Sequence, residues 1–113
     1  MSETTIFSKI INGEIPCDKL YEDEFCIAFN DISPEAPVHF LVIPKKAIVS
    51  LSECMEEDIN LLGHLLFTGS KIAKSKNLSN WRTVINTGAE SGQTVFHLHI
   101  HFLSGRIMNW PPG

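Results

Sequence analysis

The segment Phe96-His97-Leu98-His99-Ile100-His101-Phe102 alternates apolar and imidazole side chains without a break. Strand side chains point to opposite faces with period two, so an extended chain sorts such alternation into two distinct faces. The pattern predicts a strand from Val95 to Leu103. His97, His99 and His101 share one face. Phe96, Leu98, Ile100 and Phe102 share the other, which reads as core.

The rest of the chain supplies the neighbours such a strand needs. Thr4 to Asn12 reads as a short helix stopped by Gly13. Leu20–Tyr21 and Phe25–Asn30 read as strands around the turn Glu22-Asp23-Glu24, and Asp31 to Pro37 as a proline-bearing loop. Val38 to Ile43 is a largely apolar strand closed by Pro44. Ser50, with Glu53 three residues on, reads as the capping box of the one long helix. Met55, Ile59, Leu62 and Leu66 form its apolar stripe, and lysines at 71, 74 and 76 suit its C-terminal dipole. Gly63 and Gly69 cost helix propensity and are expected to pack closely against a neighbour. Trp81 to Asn86 is a further strand, and Thr87 to Gln93 a glycine-bearing loop. No repeat or linker interrupts the order, so residues 1–113 read as one α+β domain with a mostly antiparallel sheet under one long helix.

Composition narrows the partners. The net charge is −4 and there is no basic patch, which argues against a nucleic-acid strand or an anionic membrane. No apolar run is long enough to span a bilayer, and the start Met-Ser-Glu-Thr-Thr does not read as a secretory leader. Cys17, Cys26 and Cys54 are odd in number and form no Cys-x-x-Cys pair, which suits a reducing cytosol. A small phosphate-bearing ligand remains open, because a few backbone N–H groups hold an anion without net positive charge.

Three of the five histidines thus stand in register. Imidazole exchanges protons near neutrality, and clustered titratable groups mark sites. Two chemistries fit: a zinc site with three nitrogen ligands, or nucleophilic catalysis by a neutral ring. The neighbours favour the second. Gly88-Ala89-Glu90-Ser91-Gly92-Gln93-Thr94 offers backbone N–H groups and a hydroxyl, and Asn86 adds an amide, a donor set suited to phosphate.

His97-Leu98-His99-Ile100-His101-Phe102-Leu103 resembles the His-φ-His-φ-His-φ-φ signature (φ apolar) of the histidine triad superfamily, and the chain is most similar to its Hint branch of nucleotide-binding proteins. The likeness runs through Thr5–Ile11, Asp31–Pro34, His39–Lys46, Gly92–His97 and Asn109–Gly113. The resemblance implies a five-stranded antiparallel sheet, a long and a short helix, and pairing into a homodimer. It implies a purine mononucleotide-binding hydrolase, taking AMP or GMP and their phosphoramidate conjugates, that cleaves P–N bonds of nucleoside 5′-phosphoramidates without a metal or other cofactor. By that resemblance His99 is the nucleophile, His101 contacts the phosphate and helps the leaving group depart, and His97 orients the nucleophile. His39 sits behind the triad. Asn86, Gln93 and Thr94 are the phosphate donors, and Asp31 binds ribose. Phe7, Ile10, Ile15, Phe29 and Ile32 line the base, and Trp110, on a tail expected to dock on the partner subunit, reaches its site. Read from the residues alone, Asp31 is a turn acid, while Phe7, Ile10, Ile15 and His39 are core. Ala47 and Asn109 stand where relatives often carry histidine, which weakens any inherited metal site, and Thr94 replaces a frequent serine. Competing readings are a dinucleoside polyphosphate hydrolase, a nucleotide-binding regulatory module with incidental hydrolysis, and a zinc protein.

Overall fold

The computed structural model describes residues 4–113. Of the reading made from the start of the chain, residues 1–3 lie outside the described residues. The elements run α1 (Ile6–Ile11), β1 (Lys19–Glu22), β2 (Cys26–Asn30), β3 (Val38–Pro44), α2 (Ile59–Ser75), β4 (Arg82–Val84) and β5 (Ile100–Ser104). The five strands form one antiparallel sheet in the order β1-β2-β3-β5-β4.

Register fixes which residues share a face. Phe40 pairs with Phe102 and Leu41 with His101 across β3 and β5, while Ala28 pairs with Val42 across β2 and β3. Ala28, Phe40, Val42, Ile100 and Phe102 therefore face α2, where they meet Leu65, Ile72 and Ala73 in the main core. Phe40 and Phe102 stack with centroids 5.0 Å apart and planes within 5°. The opposite face carries Ile27, Phe29, Leu41 and Ile43, capped by Phe7 of α1 in a second, smaller cluster. Helix α1 is closed at its start by a reciprocal Thr5–Ser8 capping box.

The long helix departs from its sequence reading in two ways. It starts at Ile59, not at Ser50; residues 51–53 and 56–58 form separate short 3-10 turns. The Ser50 hydroxyl bonds the Ser52 hydroxyl at 2.7 Å and makes no cap. Asp58 stands at the N-cap of α2 without a side-chain cap bond to it; its carboxylate closes the preceding turn instead, accepting the Met55 N–H at 2.9 Å and the Lys46 ammonium at 2.6 Å. The buried stripe is Leu65, Thr68, Gly69, Ile72 and Ala73. Of the expected stripe, Leu62 packs partly against the core, but Met55, Ile59 and Leu66 are exposed. The helix is apolar on two adjacent sides, so periodicity alone picked the wrong one. Gly69 does pack closely, lying against Phe102, whereas Gly63 has open space where a side chain would be.

The last strand is shorter than its alternation. Ladder pairing begins at Ile100, and residues 95–97 bend. Phe96 is consequently 42% exposed rather than core, while Leu98, Ile100 and Phe102 are buried as expected. Alternation still holds from His97 to Phe102: Leu98, Ile100 and Phe102 lie in the main core, while Phe7 meets His97 and His99 on the other side, and the Leu98 N–H bonds the Ile48 carbonyl at 2.7 Å.

Two clusters have structural explanations. His64, on α2, bonds the Asp23 carboxylate at 2.7 Å, and Tyr21 donates to the same oxygen at 2.9 Å. The other Asp23 oxygen accepts the backbone N–H groups of Phe25 and Cys26, which closes the β1–β2 turn. Burial raises and these four donors lower the Asp23 carboxyl, and the donors win. Nearby Cys26 is fully buried, which pushes its thiol up to about 11. Lys45 pairs with Glu22 at 2.8 Å and so helps brace the hairpin. Among the described residues no helix is long and apolar enough to cross a membrane.

Candidate active site

Each histidine on the α1 side of the sheet is tied by a specific acceptor or donor. The Nε2–H of His97 donates to the Pro44 carbonyl at 2.8 Å. The Nδ1–H of His99 donates to the His97 carbonyl at 2.8 Å. A carbonyl only accepts, so the proton of His99 lies on Nδ1 and its Nε2 keeps a free lone pair. On β3, the backbone N–H of Glu35 donates to His39 Nδ1 at 3.0 Å. His39 therefore carries its proton on Nε2, 2.9 Å from His101 Nδ1 and 3.5 Å from an Asp31 oxygen. His101 accepts at Nδ1 and presents Nε2–H outward. The tautomers of three rings follow from backbone groups alone.

Electrostatics keep the triad neutral. Burial lowers the pKa values of His97 and His99. His101 is brought down to about 4, by burial first and then by its neighbours His99 and His39, with Asp31 opposing. Phe7 is part of the cause: its ring meets His99 edge-on at 5.0 Å and His97 at 6.4 Å. His99 and His101 lie 5.0 Å apart, centroid to centroid. A neutral ring with a free Nε2 beside a ring that offers Nε2–H has the groups needed for nucleophilic attack next to an oxyanion donor. The His97 nitrogen given to Pro44 and the His99 nitrogen given to a main-chain carbonyl are not available to a metal, whereas Asp31, His39 and His101 offer ligand atoms within 4.8 Å of one another.

The structure gathers some of the other candidates and reassigns one. Asn86 lies beside the glycine loop, its amide nitrogen 3.5 Å from where a Gly92 side chain would start. Gly88 and Gly92 both take positive φ, so the loop turns where only glycine is comfortable. Thr94 is exposed. Gln93 is buried and its side chain is fully engaged: Oε1 accepts the Gly88 N–H, while Nε2 donates to the carbonyls of Val49 and Val95. Gln93 thus pins the loop and has no side-chain donor left for a phosphate. Asp31 spends one oxygen on the Ser33 N–H at 2.8 Å. Phe7 and Phe29 are buried together, 5.6 Å apart, while Ile10 and Ile15 are half-buried and Ile32 is 88% exposed. Trp110 is 82% exposed and does not dock on its own chain. A concavity of about 1110 Å³ lies away from the histidines, along residues 77–82 and 103–108; the chemistry of the imidazoles, not cavity size, locates the site.

Sequence reasoning did not see the Pro44, His97 and Glu35 backbone groups that set the tautomers. No residue-type signal marks a main-chain carbonyl or N–H.

An antiparallel sheet presenting neutral imidazoles on one face defines a small α+β protein with histidine at its reactive centre. Known proteins resemble the chain in sequence and fold. Residues 4–109 match the family model described as "Scavenger mRNA decapping enzyme C-term binding". A HIT-like protein from Synechococcus elongatus is 59% identical over the full length of both chains. A HIT family hydrolase from Legionella pneumophila superposes with a TM-score of 0.95 at 43% identity, covering 97% of this chain and 100% of that one. A histidine triad protein from Clostridium difficile gives 0.90 at 42% identity, covering 96% and 97%. The chain belongs to the histidine triad (HIT) family and is hydrolase-like.

Proposed function

We propose that this protein is a purine nucleotide-binding hydrolase of the Hint type, a single-domain cytoplasmic enzyme cleaving nucleoside 5′-phosphoramidates to nucleoside monophosphates. The observation that carries the reading is the His99 ring: its proton is held at Nδ1 by the His97 carbonyl, and Nε2 is left neutral and unpaired. In the first step His99 Nε2 bonds to the α-phosphorus, the P–N bond breaks, and the amine leaves with a proton. In the second, water attacks phosphorus, the His99–P bond breaks, and AMP departs. His101 Nε2–H, the Thr94 hydroxyl, Asn86 and the loop N–H groups face the charge that develops on the phosphoryl oxygens. With a pKa near 4, His101 is a neutral donor before substrate arrives. The leaving-group proton therefore comes through the Thr94 hydroxyl, or through His101 once the phosphate anion beside it has raised its basicity. Asp31 takes the ribose hydroxyls. The base lies over Ile10, Ile15 and Ile32, with Phe7 and Phe29 as the floor.

The test is AMP release from adenosine 5′-phosphoramidate, with and without EDTA, across pH. Turnover unaffected by EDTA is expected. Protonation removes the His99 lone pair, and its pKa is lowered in the folded chain, so the acid limb falls below the ordinary imidazole value of about 6.5. Intact AMP binding with no turnover would leave a binding module; turnover confined to dinucleoside polyphosphates would give the other hydrolase branch.

The same reading includes a homodimer. Its support is an apolar ridge left uncovered on α2, with Ile59 62%, Leu66 43% and Phe67 66% exposed. Strand β4 adds to it, since its pairing within the chain is with β5 alone and its outer edge is open to a second copy. Trp110, undocked on its own chain, would then reach the partner. Phe67→Glu is expected to halve the mass seen by sedimentation equilibrium at micromolar concentration. An unchanged dimer would show that this ridge is not the interface.

A further inference from the structure

We infer that Arg106, at the root of the C-terminal tail, is a positioning residue for His101, acting through the backbone of Glu35 and the ring of His39. The inference rests on the hydrolase reading above, which gives His101 its task.

Three hydrogen bonds and the chain between His101 and Arg106 close a ring. His101 leaves β5 toward Gly105 and Arg106, four and five residues on. The Arg106 Nε–H donates to the Glu35 carbonyl at 3.0 Å. The Glu35 N–H donates to His39 Nδ1 at 3.0 Å. His39 Nε2–H then meets His101 Nδ1 at 2.9 Å, returning to the strand where the path began. A second anchor comes from the residue before. Gly105 takes φ +97°, and a side chain there would start 2.8 Å from Pro37. The turn out of β5 thus lies against the loop of residues 31–37 at Pro37 and holds it at Glu35.

That loop needs holding. Glu35 is exposed, and its N–H is the group that forces the proton of His39 onto Nε2. Without that donor only the Asp31 oxygen, 3.5 Å from Nε2, still favours the proton there, and His39 gains access to its other tautomer. In the other tautomer His39 Nε2 accepts, so His101 must place its own proton on Nδ1, and Nε2–H no longer faces the substrate phosphate. Arg106 sits outside the site yet sets which nitrogen of His101 donates. A charged donor on a neutral carbonyl at the surface has a modest effect, about fivefold in the fraction correctly poised.

Long-range proton–nitrogen NMR of the histidine rings reads the tautomers directly, independently of any substrate. The wild type is expected to show single Nε2–H forms for His39 and His101. Arg106→Ala should turn both into mixtures and leave His97 and His99, held by other carbonyls, unchanged. Arg106→Lys, which keeps a donor within reach of Glu35, should restore them. In the phosphoramidate assay kcat should fall about fivefold in Arg106→Ala with KM little altered. Unchanged tautomers in Arg106→Ala, or a shift of all four histidines together, overturns the inference. Absence of phosphoramidate turnover in the wild type counts against the hydrolase reading alone, since the tautomer measurement still decides the role of Arg106.

Discussion

His99→Ala should lower AMP release from adenosine 5′-phosphoramidate by at least about a thousandfold, because no other group can take over as the attacking atom. The neighbouring rings are near but wrongly presented. His97 is turned so that Nε2 donates to Pro44, and His101 shows a proton, not a lone pair, on its outward nitrogen. His97→Ala is the informative contrast. What orients His99 is the His97 carbonyl, which survives any side-chain change, so this variant should lose far less activity than His99→Ala. Removing the His99 ring also exposes the edge of Phe7, so a thermal melt of each variant must accompany the kinetics. A His99→Ala protein that melts normally and retains most of its activity would end the nucleophile assignment.

The alternation of residues 96–102 revealed the site because period-two patterning survives even where ladder pairing does not. His97 and His99 precede β5, yet face the same way as His101: Phe7 meets both rings and the His99 and His101 rings lie 5.0 Å apart. Phe96 escaped because a bend at residues 95–97 is invisible in a pattern of apolar letters. The α2 stripe misled for a different reason. A helix with two apolar sides gives two valid periodic readings, and only the sheet decides which is covered. Gln93 shows the limit of family likeness for polar residues: the resemblance marks it as a phosphate donor, whereas its side-chain partners, Val49 across the chain and the nearby Gly88 and Val95, are main-chain groups. His39 was placed behind the triad by family likeness, but the reason for its tautomer, one backbone N–H between two prolines, has no signature in side-chain type.

Gly69→Ala should destabilise the fold by about 2–3 kcal/mol, enough to lower the melting temperature by roughly 10–20 °C. The added methyl would sit 1.9 Å from the Phe102 ring tip, well inside contact distance. The ring cannot simply retreat, because it is 2% exposed and stacked flat on Phe40. Alanine recovers about 1 kcal/mol of helix propensity, too little to offset overpacking in a filled core. A double-mutant cycle separates this contact from general strain: Phe102→Leu shortens the obstructing side chain, so Gly69→Ala should cost much less in that background. Equal cost in both backgrounds would place the strain elsewhere. The consequence reaches the site, because Phe102 follows His101 on β5 and pairs with Phe40, next to His39 on β3. A methyl on the helix face that pushes Phe102 toward the sheet shifts the two strands whose opposite face carries the 2.9 Å His39–His101 bond. Gly69→Ala should therefore lower kcat even at temperatures where the protein remains folded, and a variant with reduced stability but full kcat would show that the sheet absorbs the strain without moving the histidines.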